Sequence, residues 1–177
     1  ADEMLSMGFK SEIDRVLAEV PLDRKIYLFS ATLSDRVRKI TKTYMKKPLL
    51  ISTSSANQAA DTVNHIYYIS NKDKRYDIIK NIIDMNKNIY TIIFCRTRRE
   101  TKDISNKLIG DNYKAKVLNG DLSQNERDQV MNQFRTKNIN ILVATDVASR
   151  GIDVNNLSHI INYNLPDDPE VYVHRSG

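Results

Sequence analysis

Beyond residue 62, short apolar runs alternate with stretches whose apolar residues recur at helical spacing. Runs of strand length fall at 63–69, 89–95, 115–118, 140–144 and 158–163. Between them, 73–85 places Tyr76, Ile79, Ile82 and Ile83 on one helical face, and 101–109 reads as a second helix ended by Gly110. Ser123 caps a third, with Glu126 three residues on as in a capping box and Val130, Met131 and Phe134 turned inward. Pro166 and Pro169 precede a helix start at Glu170. Strands joined through helices pair in parallel, and a parallel sheet needs helices over both faces. The spacing therefore predicts an α/β domain, a parallel sheet flanked by helices.

Residues 1–52 repeat the pattern in shorter form. Ser11 precedes Ile13, Val16, Leu17 and Val20 at helical spacing, and Pro21 stops that helix. A strand is expected at 25–29. A second helix follows Ser34 or Asp35, with Val37, Ile40, Tyr44 and Met45 on one face, and after Pro48 a short strand is expected at 49–52. Two parallel strands cannot bury both faces and protect both edges, so this piece is expected to be the end of another, incomplete α/β domain. The small, polar segment 53–61 has no apolar periodicity and reads as a linker, leaving 62–177 as the second domain.

Composition narrows the function classes. The 177 residues are 41% hydrophobic and 28% charged, within the range of folded proteins. A net charge of +5 permits a polyanionic partner without demanding one. The single cysteine, Cys95, excludes a disulfide framework, and with only three histidines a cysteine–histidine metal site is not expected. Inside its apolar run, Cys95 is expected to be a buried, inert thiol. No run reaches membrane-spanning length and no signal-peptide pattern opens the chain, so a cytoplasmic protein is expected.

The polar clusters fall at strand ends, where open α/β sheets bind ligands. Ser30-Ala31-Thr32 follows the first expected strand, a pattern that also serves as a helix cap. Arg96-Thr97-Arg98-Arg99 follows Cys95 beside a helix start, a seat suited to phosphate. Asn119-Gly120-Asp121 follows Leu118, and Gln124 and Arg127 share a face of the next helix at the same edge. Thr145, Asp146, Ser149, Arg150, Gly151 and Asp153 crowd the end of the 140–144 run, where Thr145 and Arg150 suit phosphate oxygens and Asp153 a pair of hydroxyls. His174 and Arg175 lie near the end of the chain. Each cluster alone can be a solvated turn. Together, arginine, glutamine, threonine and backbone amides on one rim suit a sugar–phosphate backbone rather than base edges.

In order and wording the set resembles the DEAD-box ATP-dependent RNA helicases over essentially the whole chain. Ala1-Asp2 is similar to the close of the D-E-A-D box, Ser30-Ala31-Thr32 to the S-A-T motif, and Ile93-Phe94-Cys95-Arg96-Thr97-Arg98 to the fourth motif. Gly120-Asp121 and Gln124-x-x-Arg127 are similar to two further elements, 144–153 to the fifth motif, and His174-Arg175-Ser176-Gly177 to the opening of the sixth. The resemblance implies RecA-like domains closing on ATP and Mg2+ with RNA bound across both. It implies that Asp2, Ser30, Thr32, His174 and Arg175 serve catalysis and its coupling to RNA, and that Gly151 and Asp153 meet the nucleotide. It further implies that Arg98, Gly120, Gln124, Arg127, Thr145 and Arg150 hold RNA phosphates or 2′-hydroxyls, the group that separates RNA from DNA.

Several elements of that family are missing, among them the Asp-Glu that would precede Ala1 and the glutamine segment that recognises adenine. The glycines at 8, 110, 120, 151 and 177 rule out a G-x-x-x-x-G-K-[ST] loop, and the later arginines of the sixth motif do not occur. The 177 residues are accordingly expected to be a fragment, inactive alone, of a helicase that hydrolyses ATP and unwinds RNA locally. The alternative is a non-enzymatic RNA-binding or interaction module.

Overall fold

The computed structural model describes residues 4, 8–30, 35–52, 63–149, 152 and 154–176. The chain divides into two compact units, residues 1–63 and 64–176, with 177 grouped with the first.

In the second unit four strands form one parallel sheet: β1 (Thr91–Phe94), β2 (Ala115–Leu118), β3 (Ile141–Ala144) and β4 (His159–Asn162), in the order β2-β3-β1-β4. The central strands β1 and β3 are buried along their whole length, so their runs are continuously apolar apart from Thr91. Register sets Phe94 against both Ala144 and Asn162, and Leu118 against Ala144. Alternate side chains then leave on opposite faces. Ile93, Cys95, Ile141 and Val143 pack with Ile79 and Ile83 of helix Arg75–Met85 and with Ile104 and Leu108 of helix Arg98–Gly110. Ile92, Phe94, Leu142 and Ala144 pack on the other face with Met131 and Phe134 of helix Gln124–Arg135 and with Ala148. Cys95 is fully buried, and burial pushes its thiol up to about 12.

Local chemistry fixes the helix limits. Thr97 with Glu100, and Ser123 with Glu126, each form a complete capping box. Helix Arg98–Gly110 does not end through Gly110, as the sequence reading expected. Asn112 takes the left-handed conformation (φ 67°), and the Asn112 and Tyr113 amides return to the Ile109 and Leu108 carbonyls at 3.0 and 2.9 Å. An asparagine side chain tolerates that backbone region, so the glycine stays within the helix.

The expected strand at 63–69 does not form, and Ile66, Tyr67 and Ile69 are exposed. In the first unit, helices Lys10–Glu19 and Asp35–Tyr44 form, but the expected strands at 25–29 and 49–52 do not. Tyr27, Phe29, Leu49 and Ile51 are exposed there. A strand exists only where a second backbone completes its ladder of hydrogen bonds, and apolarity alone does not supply one. The segment expected as a linker, 53–61, lies outside the described residues. Among the described residues no helix is long and apolar enough to cross a membrane.

A candidate nucleic-acid interface at the carboxyl rim of the sheet

Because β1 to β4 run parallel and in register, the segments following Phe94, Leu118, Ala144 and Asn162 emerge on one rim. Strands β1 and β3 are neighbours, yet their continuations depart to opposite faces: Ile104 joins one core and Ala148 the other. Neighbouring strand ends that diverge in this way are the place where α/β sheets seat ligands.

At the β1 and β2 ends, Arg98 and Asp121 are ion-paired, Nη1 to Oδ1 at 2.8 Å, and Lys102 Nζ lies 2.6 Å from Asp121 Oδ2. These contacts, Lys102 first and then Arg98, hold the Asp121 carboxyl below its ordinary range. The link is therefore complete at neutral pH and loosens only as pH falls through that lowered value. Beneath it Asn119 is buried: its Nδ2 donates to Thr101 Oγ1 at 2.9 Å, and its Oδ1 accepts from the Asp121 amide at 3.0 Å. Gly120 adopts no left-handed conformation, and a Cβ there would meet only the Arg98 guanidinium at 3.8 Å. Its lack of a side chain leaves backbone open beside Arg98.

At the start of the next helix, Gln124 donates to Asp128 at 2.8 Å. Arg127, half-buried, donates to the Ala148 carbonyl, tying that helix to the segment after β3. Thr145 is buried at the end of β3, its amide donating to the Leu118 carbonyl at 3.3 Å. The fold thus gathers Arg98, Gly120, Gln124, Arg127 and Thr145, drawn from three separate stretches of sequence, along one rim.

Arg175 is differently placed. Its side chain is 4% exposed and grips Asp146 with two hydrogen bonds, Nε to Oδ1 at 2.6 Å and Nη2 to Oδ2 at 2.8 Å. Nη1 donates to Asn162 Oδ1 and, at 3.1 Å, to the Asn164 carbonyl, and the guanidinium lies 4.7 Å from the centre of the Phe94 ring. Every one of these groups lies at or just beyond the end of β1, β3 or β4. The guanidinium therefore binds three strand ends together from inside and faces protein on all sides. His174 precedes it on helix Pro169–Ser176, half-buried.

Ser30 lies half-buried in the first unit. Asp2, Thr32, Arg150, Gly151 and Asp153 lie outside the described residues. Sequence reasoning passed over Lys102 and the buried tie made by Asn119. The only sequence signal for Lys102 is its place four residues after Arg98, on the same helical face.

Residues 74–177 match the family described as the helicase conserved C-terminal domain. The parallel sheet between helices is the RecA-like fold of that domain. The DEAD-box ATP-dependent RNA helicase CshA of Geobacillus kaustophilus is 38% identical over all 177 residues, which span 38% of its length. The probable ATP-dependent RNA helicase MJ0669 of Methanocaldococcus jannaschii is 40% identical over 178 aligned positions, and 47% of it is covered. Among solved structures, S. cerevisiae Dbp5 bound to RNA and ADP BeF3 superposes with a TM-score of 0.84 at 29% identity, over 95% of this chain and 45% of that one. The chain belongs to the DEAD-box RNA helicases. It spans between a third and a half of the curated relatives it matches.

Proposed function

We propose that this chain supplies the RNA-gripping side of an ATP-dependent RNA helicase, one that couples ATP binding and hydrolysis to local strand separation. The observation that carries the reading is the convergence of Arg98, Gln124, Arg127, Thr145 and the open backbone of Gly120 on one rim. In this reading they hold RNA phosphates and 2′-hydroxyls without reading bases, and Arg150 joins them. Gly151 and Asp153 meet the nucleotide, with Asp153 at the ribose. Ser30 and Thr32 couple Asp2 and His174 to RNA occupancy. Arg175 has a positioning role, because the surroundings of its guanidinium are protein groups at the strand ends.

Among the described residues no group of three or more histidine, cysteine, aspartate or glutamate side chains could hold a metal ion. With the phosphate loop missing from the sequence, ATP hydrolysis belongs in this reading to a longer polypeptide rather than to these 177 residues. The deciding experiment compares RNA-stimulated ATP turnover by the 177 residues with that of a chain extended to relative length. Turnover is expected only in the extended chain. An extended chain that stays inactive with every RNA supplied would leave a non-enzymatic RNA-binding module as the better reading.

Arg127→Ala tests the grip directly. It is expected to weaken single-stranded RNA binding with no sequence preference and to reduce the salt slope, d log K/d log[salt], by about 0.7, the share of one phosphate contact. An unchanged slope, measured by anisotropy titration over a salt series, would return Arg127 to its packing role against Ala148.

A further inference from the structure

The helix start that carries Arg98 presents a second cation to the same place. Lys102 stands one turn further along that helix, and the two hold the two oxygens of one carboxylate, at 2.8 Å for Arg98 and 2.6 Å for Lys102. Asp121 does not wander between them. Its amide is bonded to Asn119 Oδ1, and Asn119 is buried and bonded to Thr101 on the very helix that bears both cations. The side chains of Arg98 and Lys102 remain 64% and 55% exposed. Having given one N–H each to Asp121, the guanidinium keeps further N–H donors and the ammonium two, and the trio retains one net positive charge. The cluster sits at the carboxyl ends of β1 and β2, beside the open backbone of Gly120.

We propose that Lys102 is a further RNA-phosphate contact, seated with Arg98 as a two-cation cradle whose spacing Asp121 sets. The inference rests on the RNA-binding reading of the rim. A phosphodiester offers two non-bridging oxygens on one centre, as a carboxylate does. Cations spaced to span both oxygens of Asp121 are spaced to meet both of a phosphate through their outward N–H groups. Asp121 stays in place and keeps two long, flexible side chains from dispersing into solvent. Lys102 adds a point charge where Arg98 adds a planar fork.

The test titrates a labelled single-stranded RNA against the 177-residue chain from about 50 to about 200 mM salt. Variants are Lys102→Met, Lys102→Arg, Asp121→Asn and, as a benchmark for the rim, Arg127→Ala. Lys102→Met is expected to lower the salt slope by about 0.7, so that the rise in Kd across that range shrinks about 2–3-fold. Lys102→Arg should keep the slope, and thermal unfolding should be unmoved in both. Asp121→Asn should weaken binding. If Arg127→Ala lowers the slope and Lys102→Met does not, Lys102 is only a surface ion-pair partner and the inference fails while the rim reading stands. If neither variant changes the slope, or the parent chain binds no RNA, the rim reading itself fails. Tighter binding by Asp121→Asn would show that the carboxylate competes with phosphate, which overturns its spacing role.

Discussion

Replacing Arg175 with alanine is expected to destabilise the 64–176 unit by about 3 kcal/mol, enough to unfold a marginal domain under mild denaturant. The loss has three parts. Asp146 keeps its charge but loses both hydrogen bonds, Asn162 and the Asn164 carbonyl lose a donor, and Phe94 loses the cation stacked on its ring. Removing one partner of a buried pair ordinarily costs about 3–5 kcal/mol, because it strands the other charge away from water. The Asp146 side chain is 36% exposed, so water recovers part of its solvation and the lower end applies. Lysine at 175 keeps the charge and loses the planar fork, and it should recover only part of the stability. Urea unfolding of the whole chain, followed by far-UV circular dichroism, measures the cost. A loss below about 1 kcal/mol would mean that the pair is screened like a surface one.

Phe134→Ala is expected to cost about 3–5 kcal/mol by the same measurement. Its side chain is fully buried and packs at 4.5 Å, centroid to centroid, on Tyr90. The Tyr90 hydroxyl donates to the Phe134 carbonyl at 3.0 Å, so the ring pair and the backbone brace one another. Alanine leaves a cavity that the surrounding sheet cannot close, since β1 and β3 are held on both edges by neighbouring strands. Phe134→Leu should lose clearly less, having less volume to replace. Both variants should alter RNA binding only through the fraction folded, and the salt slope of the folded fraction should stay at its parental value. A reduced slope in Phe134→Leu would mean that the core packing also sets the rim.

Much of the second unit is legible in the sequence because each local choice agrees with the tertiary one. Apolar runs of strand length mark β1 to β4, and the Ser123–Glu126 capping box forms where its spacing puts it. The convergence of Arg98, Gln124 and Thr145 also follows from sequence. In a parallel sheet every strand ends on the same side, so motifs that follow strands must share a rim.

Other features could not be read that way. The apolar runs at 25–29, 49–52 and 63–69 satisfy the local requirement for strands and still form none, because pairing is a property of two backbones and not of one. The roles of charged residues were equally hidden. Arg175 follows His174 as an expected active-site arginine, but the fold turns it inward onto Asp146, 29 residues earlier. Asp121 reads as half of a turn until the structure sets it between Arg98 and Lys102.

The sequence by itself determined the α/β class, the parallel pairing of the second unit's strands and the side of the sheet on which its chemistry gathers. All three follow from short-range periodicity and from the geometry of crossover connections. Only the tertiary structure decided which charges face solvent and which are spent inside. That depends on partners 19 to 29 residues apart and on their burial, which no local pattern encodes.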